Sequence, residues 1–242
     1  AHPDWKGKSA NSDYGDVVEE LDGRIGDLLK VLKDEELEKN TIVVFMSDNG
    51  TEPGQKKWGS GEPFRGLKWS ALEGGTRVPC ILRFPGVIPA GEVTDKLTTA
   101  IDLLPTLASA CGIKLKEGPG IVPKIDGLNL WESLQGKAKA HPRSNLLYWH
   151  GWAMPQAIRV GDWKLYLDKV KEIPATNKAP VLIDLSKDPA EEKDLASEHP
   201  EKVKELKELA IKLLSAIGKN SIPLGGPANP KKQSKKGGFW LR

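Results

Sequence analysis

The chain has 242 residues, 38% of them apolar and 6% aromatic, with a formal net charge of +3. That length suits one sizeable domain, alone or with a smaller companion, and the composition excludes a disordered polymer. No apolar run approaches the ~18 residues of a membrane span, and a balance so close to neutral gives no general reason to expect nucleic-acid binding.

In chain order, Val17, Val18, Leu21, Ile25, Leu28, Leu29 and Leu32 recur at three- and four-residue spacing, which predicts an amphipathic helix from Tyr14 to Lys33 with Asp13 as its N-cap. "TIVVFM" (Thr41 to Met46) is β-branched and apolar without alternation, the pattern of a strand covered on both faces in a parallel sheet. "VPCILRF" (Val78 to Phe84) predicts another strand, ended by Pro85-Gly86. Asp102 then caps a short helix through "LLPTLASAC", where Pro105 falls in the tolerant first turn. Helix, strand, long loop, strand and helix together indicate an α/β architecture. The two cysteines, Cys80 and Cys111, allow at most one disulfide and no zinc cluster; their apolar neighbours predict buried free thiols.

After about residue 140 the pattern changes. "NLLYWHGW", "QAIRVGDWKLYLD" and "PVLIDL" predict antiparallel strands, with a turn at Gly161-Asp162. A helix follows from Pro200, its apolar face formed by Val203, Leu206, Leu209, Leu213, Leu214 and Ile217, closed by Gly218. Residues 219–242 hold six basic residues and no acid, leaving 30 basic against 33 acidic residues elsewhere. This Gly-, Pro- and Lys-rich stretch predicts a solvated basic tail rather than a nucleic-acid site. The expected organisation is thus 1–140, a small α+β unit over 141–218, and the tail over 219–242.

The long loop between the two predicted strands carries the chemistry. It opens on Asp48-Asn49-Gly50, at the carboxyl end of a strand, where ligands bind in open α/β sheets. A carboxylate and an amide carbonyl are hard oxygen donors suited to Ca²⁺ or Mg²⁺. Asp-Asn-Gly is equally a common turn signal, but no partner strand follows within hairpin distance, and long loops of this kind are usually functional. Lys68 lies twenty residues beyond Asp48, and Glu73-Gly74-Gly75 follows, where glycines would let backbone approach a ligand closely. A lysine beside a divalent ion makes a site for a tetrahedral oxyanion ester.

These residues carry a family resemblance. "SDNG…FRGLKWSALEGGTRVP" resembles the second signature region of the type I sulfatases, of the alkaline-phosphatase-like superfamily. "YGDVVEELDGRIGDLLKVL", "IDLLPTLASACG" and "LIDLSKDPAEEKDLA" fit that family in the same order, so the resemblance runs to about Gly218. It implies a partial alkaline-phosphatase-like sandwich, a mostly parallel sheet with helices, followed by an antiparallel sheet and one helix. It also implies hydrolysis of sulfate esters on a sulfated small molecule or carbohydrate, outside the cytoplasm (periplasmic or extracellular). Asp48 and Asn49 would bind calcium, Asp48 would also face the nucleophile, and Lys68 would contact the sulfate and the leaving oxygen. Apart from what the resemblance implies, His150 is a further candidate substrate contact, which could point into the cleft from the C-terminal unit.

The family's Cys-x-Pro-x-Arg, whose first residue becomes formylglycine, is not in this sequence: Ile81-Leu82-Arg83 follow Cys80, and Cys111 has no nearby arginine. The acidic pair that completes the family's metal site is not here either, and His2 falls past the family's sulfate-binding histidine. The expectation is therefore a C-terminal half, cut inside the catalytic domain and inactive alone. Two other readings are a phosphodiesterase or phosphonate hydrolase of the same superfamily, and a non-catalytic carbohydrate-binding module. The latter would use Tyr148, Trp149, His150 and Trp152, although alternating aromatics on a strand more simply pack a core.

Overall fold

A computed structural model describes residues 1–55, 57, 59, 61–117, 124–150, 154–168 and 180–220. The elements are α1 (Ser12–Asp34), β1 (Val43–Met46), α2 (Glu73–Thr76), β2 (Cys80–Arg83), α3 (Leu103–Ala110), α4 (Trp131–Leu134), β3 (Asn145–His150), β4 (Met154–Val160), β5 (Trp163–Tyr166), β6 (Val181–Asp184) and α5 (Pro200–Asn220). They fall into two compact units, one built on Ala1–Asp95 with Glu132–Ala140 and Pro189–Glu191, the other on Lys96–Trp131, His141–Asp188 and Glu192–Arg242. Among the described residues no helix is long and apolar enough to cross a membrane.

In the first unit, α1 forms where its spacing predicts, but Asp13 does not cap it. Asn11 holds the cap position without a side-chain bond. The acid that organises this end is the buried Asp16, whose carboxylate accepts the backbone N–H groups of Gly7, Lys8 and Ser9 at 2.6, 3.0 and 2.8 Å. These bonds, that from Ser9 foremost and then that from Gly7, hold its carboxyl below the ordinary range.

The order of elements follows the α/β expectation, whereas the strand pairing departs from it. β1 and β2 run antiparallel, Val43 opposite Arg83 and Met46 opposite Cys80. All four residues of β1 are half-buried rather than enclosed. An unbroken apolar run signals a strand that tends to be covered, but not the direction of its neighbour. Here the loop from Ser47 to Pro79 folds back on itself and returns the chain beside the strand it left. Both cysteines are free, and both are exposed rather than buried. Cys80 is the first residue of β2, opposite Met46, and Cys111 sits just past the end of α3.

The second unit holds a four-stranded antiparallel sheet in the order β3-β4-β5-β6. The turn between β4 and β5 falls at Gly161-Asp162 as the sequence predicts, with Gly161 at a φ of +57°. Ile158, Leu165, Leu182, Leu206 and Ala210 form its core, with Leu147, Trp163, Val203, Leu209 and Leu213 packed around them. Burying each such aliphatic side chain contributes about 1.5–3 kcal/mol, so the face of α5 is what closes this sheet. The helix continues past Gly218 to Asn220. The rest of the basic tail lies outside the described residues.

In the same unit Asp102 holds the cap position of α3 but makes no side-chain capping bond to it; its carboxylate is engaged elsewhere. A turn from Ala100 to Asp102 is capped by Thr99 in a reciprocal box, the Thr99 N–H donating to Asp102 Oδ2 at 3.0 Å. The same buried carboxylate accepts the N–H of Leu128 at 2.8 Å and Arg143 Nε at 2.8 Å, with Arg143 Nη2 on its other oxygen. One acid thus ties the helix start, the chain before α4 and the residues before β3.

Candidate active-site loop

Asp48, Asn49 and Lys68 all belong to the first unit. Asp48 is exposed and Asn49 half-buried, in a bend immediately past β1. The Ser47 hydroxyl donates to the Asn49 carbonyl at 2.9 Å, turning the chain there. Among the described residues no side-chain hydrogen bond or ion pair engages either the Asp48 carboxylate or the Asn49 amide. Their oxygens are free to bind something else.

Two backbone bonds close the loop. Gly50 N–H donates to the Gly75 carbonyl at 3.0 Å, and Lys68 N–H donates to the Thr51 carbonyl at 2.9 Å. A residue twenty positions from Asp48 is therefore fastened three positions from it, which the sequence interval alone does not specify. The Lys68 ammonium is 3.0 Å from Glu52 Oε2 and 5.5 Å from the centre of the Trp69 ring. Both partners of that ion pair are partly exposed, so the pair is weak and a stronger anion can displace Glu52.

The glycines serve a different contact from the one expected. A Cβ on Gly50 would lie 1.9 Å from the Gly74 carbonyl oxygen, one on Gly74 would lie 2.5 Å from that of Arg65, and one on Gly75 would lie 2.3 Å from that of Ser70. The close approach is of the loop to its own backbone. Gly74 and Gly75 lie buried with Glu73 in the short helix α2, and the Glu73 N–H donates to Glu191 Oε2 at 2.7 Å. Arg65 donates to the Glu191 carbonyl at 3.1 Å, and the Arg77 guanidinium stacks 4.5 Å from the centre of the Phe64 ring.

Residue type singles out Asp48, Asn49 and Lys68 in the sequence, but not Thr51, Glu52 and Glu191, which the fold joins to the same loop. Nothing in local pattern marks Thr51, whose backbone carbonyl is the group used. Glu191 stands 118 positions from the amide it accepts. His150 closes β3 in the second unit, opposite Met154, and its side chain lies outside the described residues, as does Trp152. Tyr148 is buried under the Lys164 ammonium, 4.3 Å from its ring centre, which is a core role rather than an open stacking surface. Trp149 alternates to the exposed side.

Asp48 and Asn49 suit part of a calcium site. They offer two hard oxygens, free of other bonds, where such an ion takes six to eight. Among the described residues no cluster of three or more His, Cys, Asp or Glu side chains is placed to hold a metal. Two oxygens are fewer than such an ion takes, so this bend by itself does not make a complete site.

Comparison with known proteins places these residues in context. The Sulfatase family model matches residues 2–113, and the model for the N-sulphoglucosamine sulphohydrolase C-terminal region matches residues 68–218. Human steryl-sulfatase is 32% identical over 79% of this chain and 37% of its own length. An N-acetylgalactosamine-6-O-sulfatase of Bacteroides thetaiotaomicron is 32% identical over 86% of this chain and 43% of its own. A sulfatase structure from Pseudoalteromonas sp. superposes with a TM-score of 0.77 at 26% identity, over 91% of this chain and 46% of that one. The chain thus spans less than half the length of each of these relatives.

Proposed function

The chain belongs to the sulfatase family, and we propose that the protein it forms part of hydrolyses sulfate esters at the loop closed by Gly50, Thr51, Lys68 and Gly75. The observation that carries this reading is the bond from Lys68 N–H to the Thr51 carbonyl, which fastens a cation beside the Asp48-Asn49 strand end. Asp48 and Asn49 would be ligands to calcium, which when bound supplies positive charge for the oxygens of the sulfate group.

Lys68 carries this chain's own part of the chemistry. A sulfate ester entering the loop competes with Glu52 for the ammonium, and the freed charge then stabilises the oxygen of the departing alcohol. The Asp48 carboxylate, free of internal partners, is available both to the ion and to the attacking group. The backbone closure keeps these groups at fixed separation, so little reorganisation is needed as charge develops. The nucleophile, a formylglycine by family resemblance, is not among the residues of this chain, and without one the chain alone would not turn over substrate.

The substrate is a sulfated small molecule or a sulfated carbohydrate, in keeping with the steryl and N-acetylgalactosamine sulfatases among the relatives. The same family resemblance supports a periplasmic or extracellular place of action. The test is metal content and sulfate release together. Whole protein is expected to hold calcium stoichiometrically and release sulfate, and Asp48→Ala to lose both; unchanged calcium in that variant would remove Asp48 from the site.

A further inference from the structure

Trp69 follows the site lysine and is the most exposed aromatic ring among the described residues, at 76%. It also sits in a backbone conformation that suits it poorly. Ser70 N–H donates to the Leu67 carbonyl at 2.9 Å, closing a β-turn, and Trp69 occupies its third position at a φ of +78°. Turns with a positive φ there favour glycine or asparagine, because a Cβ crowds the neighbouring peptide. A bulky side chain in that region is strained, and such strain concentrates at functional sites. Apolar burial does not offset it, and among the described residues no side-chain hydrogen bond does. Among the described residues the ring's one polar contact is the Lys68 ammonium, 5.5 Å from the ring centre.

We propose that Trp69 is a substrate-contacting residue: its indole face is the platform on which the ring bearing the sulfate ester lies. The proposal rests on the sulfate-ester reading of the Lys68 loop. If Lys68 meets the leaving oxygen, the alcohol side of the substrate extends past that ammonium, and Trp69 is the next side chain. A pyranose, sterol or aryl ring has an apolar face that an exposed indole can cover, whereas the sulfate group has none. The turn holds the ring out beside the cation, and a glycine in its place would relieve the backbone but leave no platform.

The test uses the whole protein, with p-nitrophenyl sulfate and a hexose 6-sulfate as substrates and inorganic sulfate as competitive inhibitor. Trp69→Ala and Trp69→Gly are expected to raise KM for both substrates by about tenfold with kcat within about twofold, while Trp69→Phe stays near wild type. The inhibition constant of inorganic sulfate, which has no ring, is expected to stay unchanged in all three. Trp69→Gly is expected to unfold at the same temperature as wild type or above it, which separates lost contact from lost fold. Unchanged KM in Trp69→Ala, or weaker inhibition by inorganic sulfate in step with KM, would overturn the platform while leaving the sulfate-ester reading standing. Wild-type protein that neither releases sulfate nor is bound by it would overturn both.

Discussion

Gly50 and Gly75 are fastened backbone to backbone. The N–H of the first donates to the carbonyl of the second at 3.0 Å, and a Cβ on Gly50 would fall 1.9 Å from the adjoining Gly74 oxygen. That contact joins the Asp48-Asn49 bend to the far end of the loop carrying Lys68. Gly50→Ala must therefore move backbone, and is expected to lower sulfate release by the whole protein more than about tenfold. Gly54→Ala, in the same loop with nothing within 4 Å of the new Cβ, is expected to be neutral. Equal activity in the two variants would show that the closure does not organise the site.

The pair between Lys68 and Glu52 gives a second expectation. Glu52→Gln removes the anion that a sulfate must displace, so inorganic sulfate is expected to inhibit about two- to threefold more tightly at low ionic strength. The gain is expected to shrink in added salt. Weaker inhibition in Glu52→Gln would mean that Glu52 orients the lysine rather than competing for it.

In the second unit, Asp102 and Arg143 are both largely buried and doubly bonded. Removing one partner leaves the other charge buried and unpaired, so Arg143→Ala is expected to cost about 3–5 kcal/mol in denaturant unfolding. Arg24→Ala, which breaks only surface pairs on α1 with Glu20 and Asp27, is expected to cost far less in the same measurement. Similar costs for the two would contradict the hub role given to Asp102.

What the sequence made legible was local. The spacing of Val17 to Leu32 marks α1, Gly161-Asp162 marks the β4–β5 turn, and the Val203-to-Ile217 stripe marks the helix that covers the small sheet. The hard-donor pair and the lysine marked the loop because their residue types are chemically unusual together. What was not legible depends on partners far along the chain. The antiparallel pairing of Val43 with Arg83 is one case, since an apolar run does not encode its neighbour's direction. Asp102 looked like a cap because its partner Arg143 is 41 positions away. The glycines at 74 and 75 looked like room for a ligand, because nothing local shows that Arg65 and Ser70 fill that room.

Asp16 provides a pH expectation. Its carboxylate is stabilised by the N–H groups of Ser9, Gly7 and Lys8, so its folded pKa lies below the unfolded value of about 3.9. A lowered carboxylate stabilises the fold fully above the unfolded pKa, and that contribution is lost as pH falls through the folded pKa. Asp16→Asn is therefore expected to speed hydrogen exchange at Gly7, Lys8 and Ser9 near neutral pH, and to differ less from wild type in strong acid. The same exchange rates in both proteins at neutral pH would show that the carboxylate does not hold this segment.

Release of inorganic sulfate by the whole protein, with and without the Lys68 ammonium, bears on the proposed chemistry most directly. Wild type is expected to hydrolyse a sulfate ester faster than the matching phosphate ester. Lys68→Ala is expected to lose about a hundredfold or more in kcat/KM at an unchanged unfolding temperature. Lys68→Arg is expected to recover only part of that loss, because a planar guanidinium cannot place its charge where a compact ammonium does. Near-normal sulfate release by Lys68→Ala, or faster turnover of the phosphate ester by wild type, would contradict the assignment of this loop to sulfate-ester hydrolysis.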